Sequence, residues 1–113
     1  MLDDSTLITE LRRRFAVFAN ERDCDRLHSP KTLARALAVE VAELMEIFEW
    51  KTEEQSSAIR QNPNAMQHVV EELAHIAICV LNLCNRLDID LTSAVIAKLS
   101  QNAEKYPIER VRG

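Results

Sequence analysis

The only glycine among 113 residues is the last, Gly113. That fact removes most folds. Tight hairpin turns need residues at positive φ, which glycine supplies most readily. Neither Asn-Gly nor Asp-Gly occurs, and no segment alternates apolar and polar residues for long enough to make a half-buried strand. A phosphate-cradling loop of the P-loop or Rossmann kind is excluded too, because its backbone must approach the anion with no side chain in the way. The chain instead carries apolar residues at helical spacing. It reads as all-α, and any phosphate chemistry must fall to side chains and metal ions.

Four main helices are predicted. The first runs from about Ser5 to Arg22, with Leu7, Leu11, Phe15 and Phe18 as its apolar stripe and Arg12 to Arg14 mostly outside it, a solvated face. Ser29-Pro30 opens the second as N-cap and first-turn proline, and this helix runs to about Trp50. Thr52 and Gln55 have capping-box spacing and start a short extra helix reaching about Arg60. Gln-Asn-Pro-Asn at 61–64 breaks the chain. The third helix runs from about Ala65 to Leu87. Its second half is apolar almost all round, so it must be covered on two sides, and in so short a chain another subunit is a candidate for the second cover. Asp90 caps the fourth helix, Leu91 to Tyr106, and Pro107 ends it. The whole of 1–113 is read as one domain.

Composition narrows the function. Apolar residues make up 47%, which is not the signature of a disordered chain. Fourteen Lys and Arg against 18 Asp and Glu leave a net charge of −4, which argues against nucleic acid or an anionic membrane as the main partner. No apolar run approaches the roughly 20 residues of a membrane span. No basic-then-apolar leader is visible after MLDD. The three cysteines, 24, 79 and 84, form no CxxC pair and read as reduced core thiols, so the expected compartment is the cytoplasm.

One acid is out of place. On a helical wheel Leu33, Leu37, Leu44 and Phe48 share one face within about 60°, and Glu40 falls between Leu33 and Ile47 on the same apolar face. Glu43 lies about 60° away on the arc's edge, while Glu46 and Glu49 point to solvent. The third helix repeats the pattern: Val69, Leu73, Ile76, Val80, Leu83 and Leu87 form the core stripe, Glu72 sits on its edge, His75 lies further out, and Cys79 falls between them a turn later. A connection of about 14 residues lets the two helices run antiparallel, so the two i, i+3 pairs can meet. Carboxylates gathered in a partly dry site repel one another, and a divalent cation removes that repulsion. Oxygen-rich ligation suits Mg²⁺ or Mn²⁺. The competing reading is a buried salt bridge from Glu40 to Lys or Arg.

The segment E40-V-A-E43, followed after 28 residues by E72-L-A-H75, resembles the E-x-x-E…E-x-x-D signature of the MazG-like, all-α NTP pyrophosphatases. The likeness is closest to the branch that acts on dCTP. It runs from about Phe15 to Pro107 and is carried by FANERD, EVAELMEIFEWKT, VVEELAHI and IDLTSAVIAKLSQNAEKYP. It implies a four-helix MazG-like bundle that assembles as a dimer or a dimer of dimers, with the active site near the subunit interface. It implies Mg²⁺-dependent hydrolysis of a (deoxy)nucleoside triphosphate to monophosphate and pyrophosphate, clearing unwanted nucleotides from the pool. Glu40, Glu43 and Glu72 match metal-binding carboxylates, Trp50 matches a base-contacting aromatic, and Lys98, Asn102 and Tyr106 match phosphate or sugar contacts. Each has an ordinary structural reading: Trp50 as a lid on the core, the other three as surface or helix-end residues.

The departures are specific. His75 stands where the family has aspartate, Cys79 where an aromatic packs on the sugar, and Phe15 and Cys24 at two base-side positions usually His and Trp. The mechanism this pattern implies gives Glu43 the nucleophilic water, Lys98 and Lys51 the leaving pyrophosphate, and Trp50 the base. If His75 ligates, Mn²⁺ is favoured over Mg²⁺, since imidazole nitrogen suits Mn²⁺ better. The alternative is a catalytically weak or inactive helical dimer that binds nucleotides or a protein partner, which His75 and Cys79 favour.

Overall fold

The structure, a computed structural model, describes residues 1–22 and 29–108, and among them every regular element is helical. The long helices are α1 (Ile8–Glu21), α2 (Pro30–Phe48), α4 (Pro63–Leu87) and α5 (Leu91–Lys105), with a short α3 (Glu53–Ser57) between α2 and α4. Single 3₁₀ turns occupy Leu2–Asp4 and Ile59–Gln61. The expected count and order of helices hold.

Capping chemistry sets most of the boundaries. Ser29 Oγ accepts the Thr32 N–H at 3.2 Å, with Pro30 in the first turn. Thr52 and Gln55 close a full capping box, at 3.0 and 3.1 Å. Asp90 Oδ1 accepts the Ser93 N–H at 3.1 Å. Two starts differ from expectation. α4 begins at Pro63, because Asn62 is its N-cap, accepting the Ala65 N–H at 3.1 Å. The expected break falls at Asn62, which is extended, and the Asn-Pro pair at once opens the next helix as Ser29-Pro30 does. α1 begins at Ile8, since Ser5 Oγ turns back to the Leu2 carbonyl at 3.5 Å and caps nothing ahead of it. α2 ends at Phe48, two residues before Trp50. At the end of α4, Asp88 takes the left-handed conformation (φ 54°), and the Ile89 N–H reaches back to the Cys84 carbonyl at 2.9 Å. Asp tolerates that conformation and does here what glycine does elsewhere.

α2 packs along α4, and α1 packs against α4 as well. Leu33, Val69, Leu81, Cys84 and Ala19 are the buried apolar residues. The stripe expected on α4 is rotated in its second half: Leu81, Asn82 and Cys84 are buried while Leu73 and Leu87 stand half exposed, because α1 as well as α2 lies against α4. Arg12 is not a solvated residue. Its Nε donates to Asn85 Oδ1 at 2.8 Å and its Nη1 to the Ile89 carbonyl at 2.7 Å, tying α1 to the end of α4. Arg13 and Arg14 do face solvent, paired with Glu10.

The fourth long helix does not close a bundle within the chain. α5 packs extensively against no other helix and contains no buried residue. Its Val95, Ile96 and Leu99 are 47%, 61% and 62% exposed. The radius of gyration is 17.2 Å, where a compact chain of this length has about 13 Å.

Candidate metal centre

Antiparallel packing of α2 on α4 brings the displaced acids together. Glu40 meets His75, with His75 Nδ1 3.2 Å from Glu40 Oε2. Glu40, Glu72 and His75 each offer a ligand atom, and these atoms all lie within 4.8 Å of one another. Among the described residues no lysine or arginine pairs with Glu40, and its ionic partner is His75. Glu43, one turn along α2, is exposed but interacts with both Glu40 and Glu72.

The centre is electrostatically frustrated. Glu72 Oε2 is buried and, among the described residues, has no hydrogen-bond partner. Its contact with Glu40, reinforced by burial and by Glu43, pushes the Glu72 carboxyl up to about 7. Glu40 moves the other way, held below its ordinary value by the hydrogen bond from Glu72 and by His75. The proximity of the two carboxylates thus drives their proton affinities apart, Glu72 upward and Glu40 downward. An orphaned buried oxygen facing a second carboxylate and an imidazole is what a divalent cation would satisfy, so the residues present fit such an ion.

Two clefts reach the centre, one between α1 and α4 and the other between α2 and α4. On one side Leu11, Phe15 and Phe18 of α1 face Ala77, Ile78 and His75 of α4 across a largely apolar cleft of about 630 Å³. Phe15 and Phe18 stack at 6.2 Å, and the Arg22 guanidinium sits 3.8 Å over Phe18. On the other side Glu43, Glu46, Ile47, His68 and Glu72 line an open cleft of about 360 Å³. Glu46 is exposed as expected, but it borders this cleft instead of pointing away from it. His68 has no place in the sequence reading. Its position four residues before Glu72 was the available signal, since i and i+4 share a helix face.

The other expected site residues are scattered. Trp50 is 90% exposed and shares a hollow of about 420 Å³ with Lys51, Gln55 and Asn62. Cys79 is half-buried one turn beyond His75, its thiol raised by burial and by the negative charge of Glu40. Lys98, Asn102 and Tyr106 lie on α5 or at its end, all exposed, and no packing of α5 on α2 or α4 carries them to the carboxylates. Lys98 Nζ lies 3.5 Å from Gln101 Oε1. Cys24 lies outside the described residues.

Two antiparallel helices that bring carboxylates and an imidazole within 4.8 Å of one another define a class: an all-α protein with an acid-centred cluster built on i, i+3 pairs. Residues 36–113 match the MazG-like family, and the chain belongs to it. It is similar to dCTP pyrophosphatase 1 of Bos taurus, 38% identical over 106 residues, which are 94% of this chain and 63% of that protein. The Homo sapiens protein of the same name is 36% identical over 105 residues, 93% of this chain and 62% of that one. The chain thus spans a little under two thirds of the length of these mammalian relatives. The crystal structure of a pyrophosphatase from Archaeoglobus fulgidus superimposes with a TM-score of 0.78 at 35% identity, covering 88% of this chain and 91% of that one.

Proposed function

We propose that the chain is a divalent-metal-dependent nucleoside triphosphate pyrophosphohydrolase that converts (deoxy)nucleoside triphosphates to monophosphate and pyrophosphate. The observation that carries this reading is the buried, unpartnered Glu72 Oε2 beside Glu40 and His75. The mammalian relatives' name supports a preference leaning to dCTP. The biological role is clearance of unwanted nucleotides in the cytoplasm, by one domain spanning 1–113.

Glu40, Glu72 and His75, with Glu43 beside them, hold the ion. A bound Mg²⁺ or Mn²⁺ supplies positive charge to the triphosphate oxygens and makes a nearby water easier to ionise. Glu43, the most exposed of the three glutamates, orients the water and accepts its proton. The water oxygen adds to the α-phosphorus, the bond from that phosphorus to the bridging oxygen breaks, and the electron pair leaves with pyrophosphate. The phenylalanine cleft takes the nucleoside, with Cys79 at the sugar, and Lys51 lies toward the leaving group. His75 brings nitrogen into the ligand set and so shifts preference toward Mn²⁺.

The site is completed by a second copy of the chain. The exposed apolar residues of α5, together with Val39 and Met45 on α2 and Leu73 on α4, need a cover. Lys98, Asn102 and Tyr106 then reach the substrate across the interface, and the exposed Trp50 stacks on a base in the same way. A dimer, or a dimer of dimers, follows.

The test is release of pyrophosphate and monophosphate from a panel of the four dNTPs, first with Mg²⁺ and then with Mn²⁺. Release from dCTP ahead of the others, larger with Mn²⁺, is expected. Binding without release under both metals would replace this reading with a nucleotide-binding helical dimer, which the imidazole in the ligand set favours.

A further inference from the structure

The mechanism leaves one side chain beside the carboxylates unused. His68 is one turn before Glu72 on α4 and lines the 360 Å³ cleft with Glu43, Glu46, Ile47 and Glu72. We propose that His68 binds the diphosphate end of the substrate, donating a hydrogen bond to the pyrophosphate as it leaves. This rests on the pyrophosphohydrolase reading of the same site.

Three observations converge on it. The first is register. Glu40 meets His75, Glu43 interacts with Glu72, and Ile47 shares a cleft with His68, so the residues step along one antiparallel seam. His68 is therefore the next position along the seam from the metal-binding acids.

The second is polarity. The α1–α4 cleft is walled mainly by apolar side chains, Leu11, Phe15, Phe18 and Ile78, with Arg14 and His75 as its polar members, a surface that suits a nucleobase and sugar better than a run of phosphates. The two clefts share no residue, and each includes a member of the acid–imidazole cluster, His75 in one and Glu72 in the other, so a nucleoside on the phenylalanine side leaves the outer phosphates to the His68 side. The Lys51 hollow, whose wall includes Asn62 just before α4, carries a positive charge toward the same end of the seam.

The third is the donor inventory. Three of the five residues lining the His68 cleft are glutamates, which accept hydrogen bonds and repel phosphate, and Ile47 offers none. His68 is the lining side chain that presents an N–H to an anion. A neutral imidazole already carries that donor, so no change of protonation is involved. His68 takes no proton in the reaction; the water's proton goes to Glu43, and the electron pair of the broken bond goes to pyrophosphate.

The experiment uses inorganic pyrophosphate as the probe. Its binding in the presence of Mn²⁺ is measured by calorimetry for the wild-type protein, His68→Leu and His68→Gln. Binding of Mn²⁺ alone by electron paramagnetic resonance and binding of dCMP are measured alongside. His68 is exposed, so both variants should keep the wild-type helical content by circular dichroism. Loss of a hydrogen bond to a charged group predicts about a tenfold weaker pyrophosphate complex for His68→Leu. His68→Gln, which keeps a donor, recovers most of it, and Mn²⁺ and dCMP binding stay unchanged. Unchanged pyrophosphate binding in His68→Leu overturns the proposal. So does a parallel loss of Mn²⁺ binding, which would make His68 a metal ligand. Hydrolysis of dNTPs by the wild-type protein separates the two levels. If it persists while His68→Leu binds pyrophosphate normally, the role of His68 alone is wrong. If the wild type neither hydrolyses dNTPs nor binds pyrophosphate, both readings fall.

Discussion

At the scale of single residues the centre is governed by one proton. Glu72 binds it up to about pH 7 in the fold, against an ordinary value of 4.5. Between those two values the folded, metal-free chain holds more protons than the unfolded chain, so its stability falls as pH rises through about 7. Glu72→Gln replaces the carboxyl by a hydrogen-bonding amide of the same shape and removes the titration. In EDTA the variant should melt above the wild type at pH 8, and the gap should close as pH falls toward 4.5. With Mn²⁺ at pH 8 the order should reverse, because the wild type gains a ligand and the variant does not. A variant that melts below the wild type at pH 8 in EDTA would mean that the Glu72 oxygen is already satisfied. His75→Asp makes the complementary change, replacing nitrogen by oxygen. It should raise activity with Mg²⁺ relative to Mn²⁺ by several-fold in paired assays, and a ratio equal to the wild type's would remove His75 from the ligand set. Glu40 was legible in the sequence because it breaks an apolar arc, a conflict visible on one helix. The divergence in proton affinity between Glu40 and Glu72 was not, since it depends on the distance between two helices. His68 and the cleft position of Glu46 were missed for the same reason: both become site residues only once the register of α2 on α4 is known.

At the scale of elements, local chemistry was readable wherever a side chain caps a helix within its own first turn. Ser29, Thr52 with Gln55, and Asp90 cap as their spacing indicates. Ser5 and the start of α4 were misplaced because each offers two local solutions. Ser5 bonds backward to Leu2, and Asn62-Pro63 serves a helix start as well as a break. The end of α4 shows what a glycine-poor chain does at a helix C-terminus. Asp88 occupies the left-handed region, where a Cβ is unfavourable by roughly 1 kcal/mol or more for most residues and somewhat less for Asp. Asp88→Gly should therefore stabilise the chain by about 0.5 kcal/mol, the relief of the left-handed strain less the entropy glycine adds to the unfolded chain, read from urea unfolding at fixed protein concentration. A β-branched residue there, Asp88→Val, should destabilise it and loosen the α4–α5 corner that Arg12 clamps through Ile89. Equal stability of the Gly and Val variants would show that the corner is held by Arg12 alone.

At the scale of the whole molecule, the acids and the polar residues of α5 stay apart within one chain. α2 and α4 bring the acids together, while α5, with Lys98, Asn102 and Tyr106 on it or at its end, packs extensively on neither of them. The apolar spacing of α5 was legible, but what it packs against was not, because a heptad-like stripe is the same whether its partner lies in its own chain or in another. Subunit complementation decides between those cases. Glu40→Gln removes a ligand and Lys98→Ala removes the cation expected at the leaving group, so each variant alone should be inactive or nearly so. In a dimer whose sites each take acids from one subunit and α5 from the other, a mixed pair holds one site with both defects and one with neither. Random reassociation of equal amounts should then restore roughly a quarter of the wild-type activity, since half of the dimers are mixed and each has one intact site. If acids and α5 of one site come from the same chain, every site in the mixture keeps a defect and no activity returns. Ile96→Glu on both chains supplies the control: it places a charge on the 61% exposed apolar face of α5, and should leave monomers by light scattering that retain helical circular dichroism but hydrolyse no nucleotide. A monomer of full activity would place the whole site within one chain.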